Sequence, residues 1–444
     1  MNNRSIVFVV FVCLPSLSFS QLLVDYLSEP RSRLCATANG GKVFFAGGWT
    51  TGGINSDAID ILDTVSFSWE QATLTVPRRQ ISAGSVGNKS YFIGGNDDTS
   101  MRNEMDIYDT ATGQWTADSF PVARSLTEIA VSGTKLILAA GLTSRAPFIA
   151  SDTVTILETA TNTWSGNKLA APAYRPGICE VNGKVIVSGG WNIDDSQGVY
   201  ELNTVVNILD IASGTLEVQQ MSVGITGQTN IGLNGKAYLI GGATLDSLAL
   251  HSILVYDVAL NSWEEIFAPN PHAVATTMVI GDKIFIAGGA DIDANGFLYT
   301  VGHDVVDVYD TETATWESFV LTEPKFWGAG IGYGTRFYIA GGYDFETGAH
   351  SDIVNIYESE ITFIEQIAAN SLPVSVWPNP VTGDEFQVEL PSKELVSDAF
   401  IMDANGHHFP VRQGQNAASA FASGVYFLVV KTPAGTAIRK FIKL

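Results

Sequence analysis

Sixteen residues before the first position of each of seven recurring glycine pairs stand Arg31, Arg78, Arg124, Ala173, Ile225, His272 and Lys325. Four permanent cations and one imidazole therefore share a single register, with Pro30, Pro77, Pro271 and Pro324 directly preceding four of the five. Trp49, Trp191 and Tyr343 follow their glycine pairs without an intervening residue. Guanidinium forks hold carboxylates and other oxyanions, and aromatic faces attract cations and apolar ring faces. Brought to one rim, these side chains would make a pocket for an anionic or sugar-like ligand. The plainer alternative pairs the cations with nearby carboxylates and packs the tryptophans under loops.

Metal chemistry has two weaker candidates. Asp291-Ile292-Asp293-Ala294-Asn295-Gly296 places oxygens at alternate positions before a glycine, as the front half of a calcium loop does. Asp291, Asp293 and Asn295 would be its ligands, but the twelfth position is Gly302 rather than glutamate, with Asp304 nearby. His251, His272, His303 and His350 fall in the last three repeat units, on separate elements. Ligands must converge within about 2 Å of one ion, so a shared histidine site is not expected. Calcium is the one cofactor candidate; otherwise none is required.

The elements that would position these residues are strands. The glycine pairs are Gly47-Gly48, Gly94-Gly95, Ala140-Gly141, Gly189-Gly190, Gly241-Gly242, Gly288-Gly289 and Gly341-Gly342. Their second members lie 46 to 53 residues apart, a period typical of stacked supersecondary units that bury no face alone. Each pair ends an unbroken apolar run such as Val43-Phe44-Phe45-Ala46 or Phe337-Tyr338-Ile339, which implies a strand covered on both faces. A third strand follows, ending in Asp63, Asp109, Glu158, Asp210, Asp257, Asp310 or Glu358. Six residues beyond each acid comes Trp69, Trp115, Trp164, Leu216, Trp263, Trp316 or Ile364, opening a fourth strand and expected to wedge between sheets. No helical periodicity interrupts the pattern.

This glycine-pair, Tyr-Asp and tryptophan unit closely resembles the kelch repeat over roughly residues 22–367. The resemblance implies an all-β chain, with residues 21–368 forming a seven-bladed kelch-type β-propeller. Either Leu22 to Leu27 or Ile361 to Gln366 would complete the last blade. In such a blade the loops after the second and fourth strands share one face. Unit length varies mainly there, in Trp191 to Asn203 and Asp291 to Asp304.

From Leu372 the grammar changes to short alternating strands bounded by Pro, Asn and Gly, which argue a small Ig-like β-sandwich over residues 369–444. Val376-Trp377-Pro378-Asn379-Pro380, Asp403-Ala404-Asn405-Gly406, Gly424-Val425-Tyr426 and the closing Lys440 to Leu444 are similar in order and spacing to the C-terminal sorting domain of the type IX secretion system. One departure is His407, where that family usually carries Arg or Lys. The resemblance implies export across an outer membrane, with residues 372–444 addressing the secretion machinery.

Composition agrees with an exterior destination. Residues 1–20 read as a signal peptide: Arg4 near the start, an apolar run from Ile6 to Leu17, and Ser18-Phe19-Ser20 before the cleavage point. No later segment is long and apolar enough to suggest a transmembrane span. The chain has 24 basic and 46 acidic residues, a net charge of −22 carried almost wholly by the repeats. Such a surface repels nucleic acid and anionic headgroups. Cys35 and Cys179 fall on strands of units one and four, too far apart to bridge, and are expected as buried thiols.

The expected function is a secreted or cell-surface binding module that takes an extracellular glycan or protein at one face. Arg31, Arg78, Arg124, His272, Lys325, Trp49, Trp191 and Tyr343 are the candidate ligand-binding residues. The kelch resemblance also admits a cofactor-independent sugar-modifying enzyme of the sialic-acid mutarotase kind. Its cations would be Arg31, Arg78 and Arg124, with His272 or Asp98 as the acid–base group. Copper radical chemistry is disfavoured, since neither mid-strand cysteine adjoins a tyrosine.

Overall fold

The computed structural model describes residues 20–245, 249–292 and 299–358 of a first compact unit. In a second unit it describes 375–378, 381–383, 385–390, 398–403, 408–421, 424–432 and 435–443. The first unit runs to Ser359 and the second from Glu360, and the expected boundary at 368/369 lies outside the described residues.

The first unit is built from seven antiparallel sheets of one design. Sheet one orders Cys35–Asn39, Lys42–Ala46, Ala58–Asp63 and Trp69–Thr73 as a simple meander. Five more sheets repeat that order along the chain. The seventh takes Ala329–Tyr333, Arg336–Ala340 and Ile353–Glu358, and its fourth strand is the N-terminal Ser20–Tyr26. Of the two strands the sequence offers for closure, the N-terminal one fills the slot, with Val24 opposite Asn355 and Tyr26 opposite Ile353. The inner strand of each sheet touches that of the next, and the inner strand of the seventh returns to that of the first.

The core lies between the sheets rather than within one. Val43, Phe45 and Leu62 of sheet one pack with Tyr338, Ala340, Val354 and Ile356 of sheet seven. Phe44, Ile59 and Ile61 meet Phe92 and Tyr108 of sheet two, with Trp115 against the same cluster. Every buried aromatic of this kind contributes on the order of 2–3 kcal/mol, which is why the apolar runs need neighbours on both sides. Trp69 is wedged as expected: its ring lies 6.4 Å from Phe45, and its Nε1 donates to Asp25 Oδ2 at 2.7 Å, tying sheet one to the closing strand.

The acids that end the third strands organise the following turns. Asp63 accepts the backbone N–H groups of Val65 and Ser66, and Asp210 and Asp310 do likewise for their own turns. These bonds favour the ionised form and hold the Asp63 and Asp210 carboxyls below their ordinary range. Cys35 and Cys179 are buried free thiols, and burial pushes the Cys35 thiol up to about 12.

In the second unit, Ser375–Trp377, Glu385–Glu389 and Gly414–Ala417 form one antiparallel sheet. Asp398–Asp403, His408–Pro410, Gly424–Thr432 and Gly435–Lys443 form another. Val381, Phe386 and Val388 share a core with Ile401, Tyr426, Leu428 and Val430.

Candidate functional site

The recurring cations do not open onto a rim. Arg31, Arg78 and Arg124 are 0% exposed, and His272 and Lys325 are 1% exposed. Arg31, Arg78, Arg124 and His272 each reach to one register of a third strand, at Asp60, Asp106, Thr155 and Asp307. Asn207, Leu254 and Asn355 occupy that register in the other sheets, whereas Lys325 stops at Ser351 and Ile353. Arg78 donates to Asp106 Oδ2 at 2.7 Å and to the Gly94 and Phe92 carbonyls at 2.9 and 3.2 Å. Arg31 pairs with Asp60 and donates to Ala58 O at 2.7 Å. His272 Nε2 lies 3.0 Å from Asp307 Oδ2. Lys325 donates to Glu323 Oε1 at 2.5 Å and Ile353 O at 3.0 Å. Unit five replaces the charged pair with Ile225 and Leu254, both in one apolar cluster. The pairing alternative therefore holds for Arg31, Arg78, His272 and Lys325, while Arg124 is held by the Ala140 and Thr153 carbonyls and Thr155 Oγ1. All five are buried, and their assignment to a ligand pocket is corrected.

What they do is join sheets. The second glycine of each pair donates its N–H to the carbonyl of this same residue in the next sheet: Gly48 to Arg78, Gly95 to Arg124, and so on around to Gly342 and Arg31. All seven bonds are 2.7–3.2 Å long. The glycine pairs adopt left-handed φ angles to make this approach, and a Cβ on Gly47 would stand 2.5 Å from Arg78 O.

Two residues further along lies the ring that faces the centre. Arg33, Gln80, Leu126, Arg175, Gly227, Val274 and Trp327 all have φ between 52° and 64°. Successive members bond through the backbone: Arg33 N–H to Trp327 O at 2.7 Å, Gln80 to Arg33 at 3.0 Å, Leu126 to Gln80 at 3.4 Å and Val274 to Gly227 at 2.6 Å. A strained left-handed residue is retained only where its surroundings over-determine it, and here the ring does so. These seven residues, with the first residues of the inner strands, line a central cavity of about 450 Å³.

Its mouth carries the cation–aromatic arrangement that the sequence places elsewhere. The Arg33 guanidinium sits 3.6 Å from the Trp327 ring centroid and 4.9 Å from that of Trp49. Arg79 approaches the same Trp49 at 5.1 Å. Tyr343 lies 6.0 Å from Trp327 and 5.2 Å from His350. Burial, with Arg175, Arg79 and Arg145 nearby, lowers the Arg33 pKa to about 9. Asp98 bridges Arg79, at 2.9 Å, and Arg145, at 3.4 Å. Its Arg79 hydrogen bond holds the Asp98 carboxyl below its ordinary range, so it is a fixed anion rather than a proton-transfer group.

Arg145 is delivered by an added sheet. Leu142–Arg145, the start of Phe148–Glu158, Trp191–Asp194 and Val199–Leu202 pair in that order above sheets three and four. Trp191 belongs to it and is buried, 4% exposed, so it lines no opening. Of the aromatic candidates, Trp49 and Tyr343 are at the mouth. Deeper in the cavity Glu128 opens the inner strand of sheet three, and burial pushes its carboxyl up to about 7 against the opposing pull of Arg175.

Of the calcium candidates, Asp293 and Asn295 lie outside the described residues, and Asp291 is 3.3 Å from His303 Nε2. His251 contacts Ala268 O and His350 contacts Ser32 Oγ, so the histidines have separate partners. Among the described residues no group of three or more His, Cys, Asp and Glu side chains could hold a metal ion.

The mouth residues Arg33, Arg79, Arg145, Arg175 and Trp327 and the cavity's Glu128 escape the sequence reading. A register set two residues later than the cations would have found Arg33, Arg175 and Trp327.

No protein-family model matches the chain. Mouse Kelch-like protein 21 is 30% identical over 128 residues, which are 28% of this chain and 19% of that protein. Beta-scruin of Limulus polyphemus is 25% identical over 219 residues, 47% of this chain and 23% of its own length. The chain thus spans less than a quarter of the length of these curated relatives. The solved structure of YjhT aligns with a TM-score of 0.51 at 18% identity, covering 63% of this chain and 95% of that one. At that identity the likeness speaks for the fold. Repeat grammar, ring closure and these similarities together support a kelch-type β-propeller fold for the first unit.

Proposed function

We propose that this chain is a secreted or cell-surface, seven-bladed propeller that captures an extracellular glycan or protein ligand at the mouth of its central channel. Export would run through the signal peptide at residues 1–20 and the sorting-like tail at 372–444, addressed to a type IX secretion machinery. The carrying observation is Arg33 held between the Trp327 and Trp49 rings, with Arg79, Arg145 and Arg175 close by, on a chain of net charge −22. A concentrated positive patch in an acidic body directs an anion to one place. The kelch-propeller fold supports a binding module, since such rings gather loops from every sheet at one face.

Glycan and protein arrays probed with the full chain test this reading. Arg33→Ala and Trp327→Ala should each abolish capture while leaving the melting temperature nearly unchanged. Capture insensitive to both would remove the mouth as the site. Export is tested separately, by deleting residues 372–444 and following the chain to the medium.

A second reading, a cofactor-independent sugar-modifying enzyme, draws support from Glu128, whose proton equilibrium near 7 suits general acid–base work. His272 is buried against Asp307 and Asp98 is tied to Arg79 and Arg145, so Glu128 would carry that role. Anomer exchange followed by NMR, with Glu128→Gln as the control, tests it.

A further inference from the structure

We propose that the channel takes a carboxylate-bearing ligand between Arg33 and Arg175 and that its capture consumes a proton at Glu128. The inference rests on the binding reading above and adds the ligand's chemistry and its regulation. The charged side chains lining the cavity are Arg33, Glu128 and Arg175. Their neighbours on the wall, Ser82, Thr127, Gln228 and Asn230, are polar but uncharged. Two guanidinium groups and one carboxyl thus line an open-mouthed cavity of about 450 Å³, large enough for a small acid.

The geometry supplies the anion's partners. Arg33 is fixed by its two flanking rings, and its buried Nε has no hydrogen-bond partner among the described residues. A buried guanidinium donor left unpaired favours an entering acceptor. Glu128 makes no side-chain hydrogen bond to a described residue, and Arg175 is the charge that acts on it. A ligand carboxylate brought beside Glu128 disfavours the ionised form of Glu128 and tightens its hold on a proton, against the opposing pull of Arg175. A protonated Glu128 would then donate its O–H to the ligand carboxylate, while Arg33 and Arg175 balance the remaining charge. The step is proton uptake only, from solvent to a Glu128 carboxylate oxygen, with no bond broken.

The sign follows from the empty site. Burial already raises Glu128 to about 7, so below that pH it is protonated and capture needs no proton. Above it a proton must be taken up, and affinity falls by about tenfold per pH unit.

The test is calorimetry on the full chain with D-glucuronate, glutarate and neutral D-glucose, each at about 20 mM, in two buffers of different ionisation enthalpy. Glucuronate and glutarate separate a sugar acid from a plain carboxylate as the source of the anion. At about pH 8, binding of at least one acid with close to one proton taken up is expected, and none for glucose. Glu128→Gln should abolish the proton uptake and flatten the pH dependence of acid binding. Acid binding at about pH 8 without proton uptake, equal binding of glucose, or no acid binding at about pH 6 and about pH 8 would overturn the proposal. An array ligand lost in Trp327→Ala but taken up without a proton would sink this inference and leave the binding reading standing. If no ligand responds to Trp327→Ala, both fail.

Discussion

The N–H of Gly342 donates to the carbonyl of Arg31 across 3.1 Å, and that bond joins the last sheet of the ring to the first. Arg31 then turns its side chain outward to Asp60, so one residue is both the joint between sheets and the anchor within its own. The other six junctions repeat the backbone half of this arrangement with different side chains. Backbone geometry is the constant, and the charge is one of several ways to fill the space behind it.

Gly341, beside that joint, has no room for a side chain. A Cβ there would stand 2.5 Å from Arg31 O and 2.7 Å from Leu34 Cδ2, at a φ of +67°. Gly341→Ala should cost about 2–4 kcal/mol, from left-handed strain and overpacking together. Denaturant unfolding of the full chain measures it. Ala140, the natural alanine at this register with φ +61°, is the control, and Ala140→Gly should shift stability far less. Equal effects at both positions would argue against the close approach as the reason for glycine.

The buried pair Arg78–Asp106 should behave as a unit. Arg78→Ala strands Asp106, 3% exposed, without its cation and should cost about 3–5 kcal/mol. Replacing both, Arg78→Ile with Asp106→Leu, copies the Ile225 and Leu254 pair that unit five already uses. The double variant should recover most of that loss, since a well-packed apolar pair commonly matches a buried ion pair. A double variant as unstable as the single one would show that the charges themselves are required.

Much of this architecture is legible in the residues. The glycine pairs, the apolar runs and the tryptophans report local geometry and burial, which repeat with the unit. The mouth does not repeat. Arg33, Arg175 and Trp327 share a register with Gln80, Leu126, Gly227 and Val274, so no pattern of residue type marks it. What unites that register is a left-handed backbone, and residue identity does not reveal φ in so mixed a set. The recurring cations mislead for the opposite reason: their repetition reflects a structural joint, and a ligand site on a ring has no need to be sevenfold. The co-variation of Asp60, Asp106 and Asp307 with Arg31, Arg78 and His272 was the available clue.

Glu128 should make stability depend on pH. Its folded pKa, about 7, lies above the ordinary carboxylate value of 4.5, so the folded state holds a proton that the unfolded chain releases. The associated stability is complete below the unfolded pKa and is lost as pH rises through the folded one. Glu128→Gln removes the loss, so the variant should gain on the wild type by on the order of 1–3 kcal/mol between about pH 5 and pH 8. Melting temperatures of both proteins across that range check it. A constant difference would mean that Glu128 ionises in the folded chain as it does in the unfolded one.

Arg124 is the joint whose side chain lacks a carboxylate. It donates to Ala140 O at 3.0 Å, Thr153 O at 2.7 Å and Thr155 Oγ1 at 2.6 Å, and lies 5.0 Å from the Phe120 ring centroid. Burial without an opposing charge lowers its pKa to about 10. Thr155 occupies the register of Asp60, Asp106 and Asp307, and it is itself buried. Thr155→Asp should therefore place a carboxylate where Arg78 and His272 already have one. The cation's desolvation is already present in the wild type, so the added partner should stabilise by about 1–3 kcal/mol at neutral pH. Arg124 would depress the new aspartate's pKa, so the gain should be present above the ordinary Asp value and vanish as pH falls through the lowered one. Thr155→Asn, which supplies a hydrogen-bond acceptor without charge, should show little of the gain and none of its pH dependence. A Thr155→Asp chain that melts below the wild type at neutral pH would mean that the pocket around Arg124 is shaped for a neutral partner.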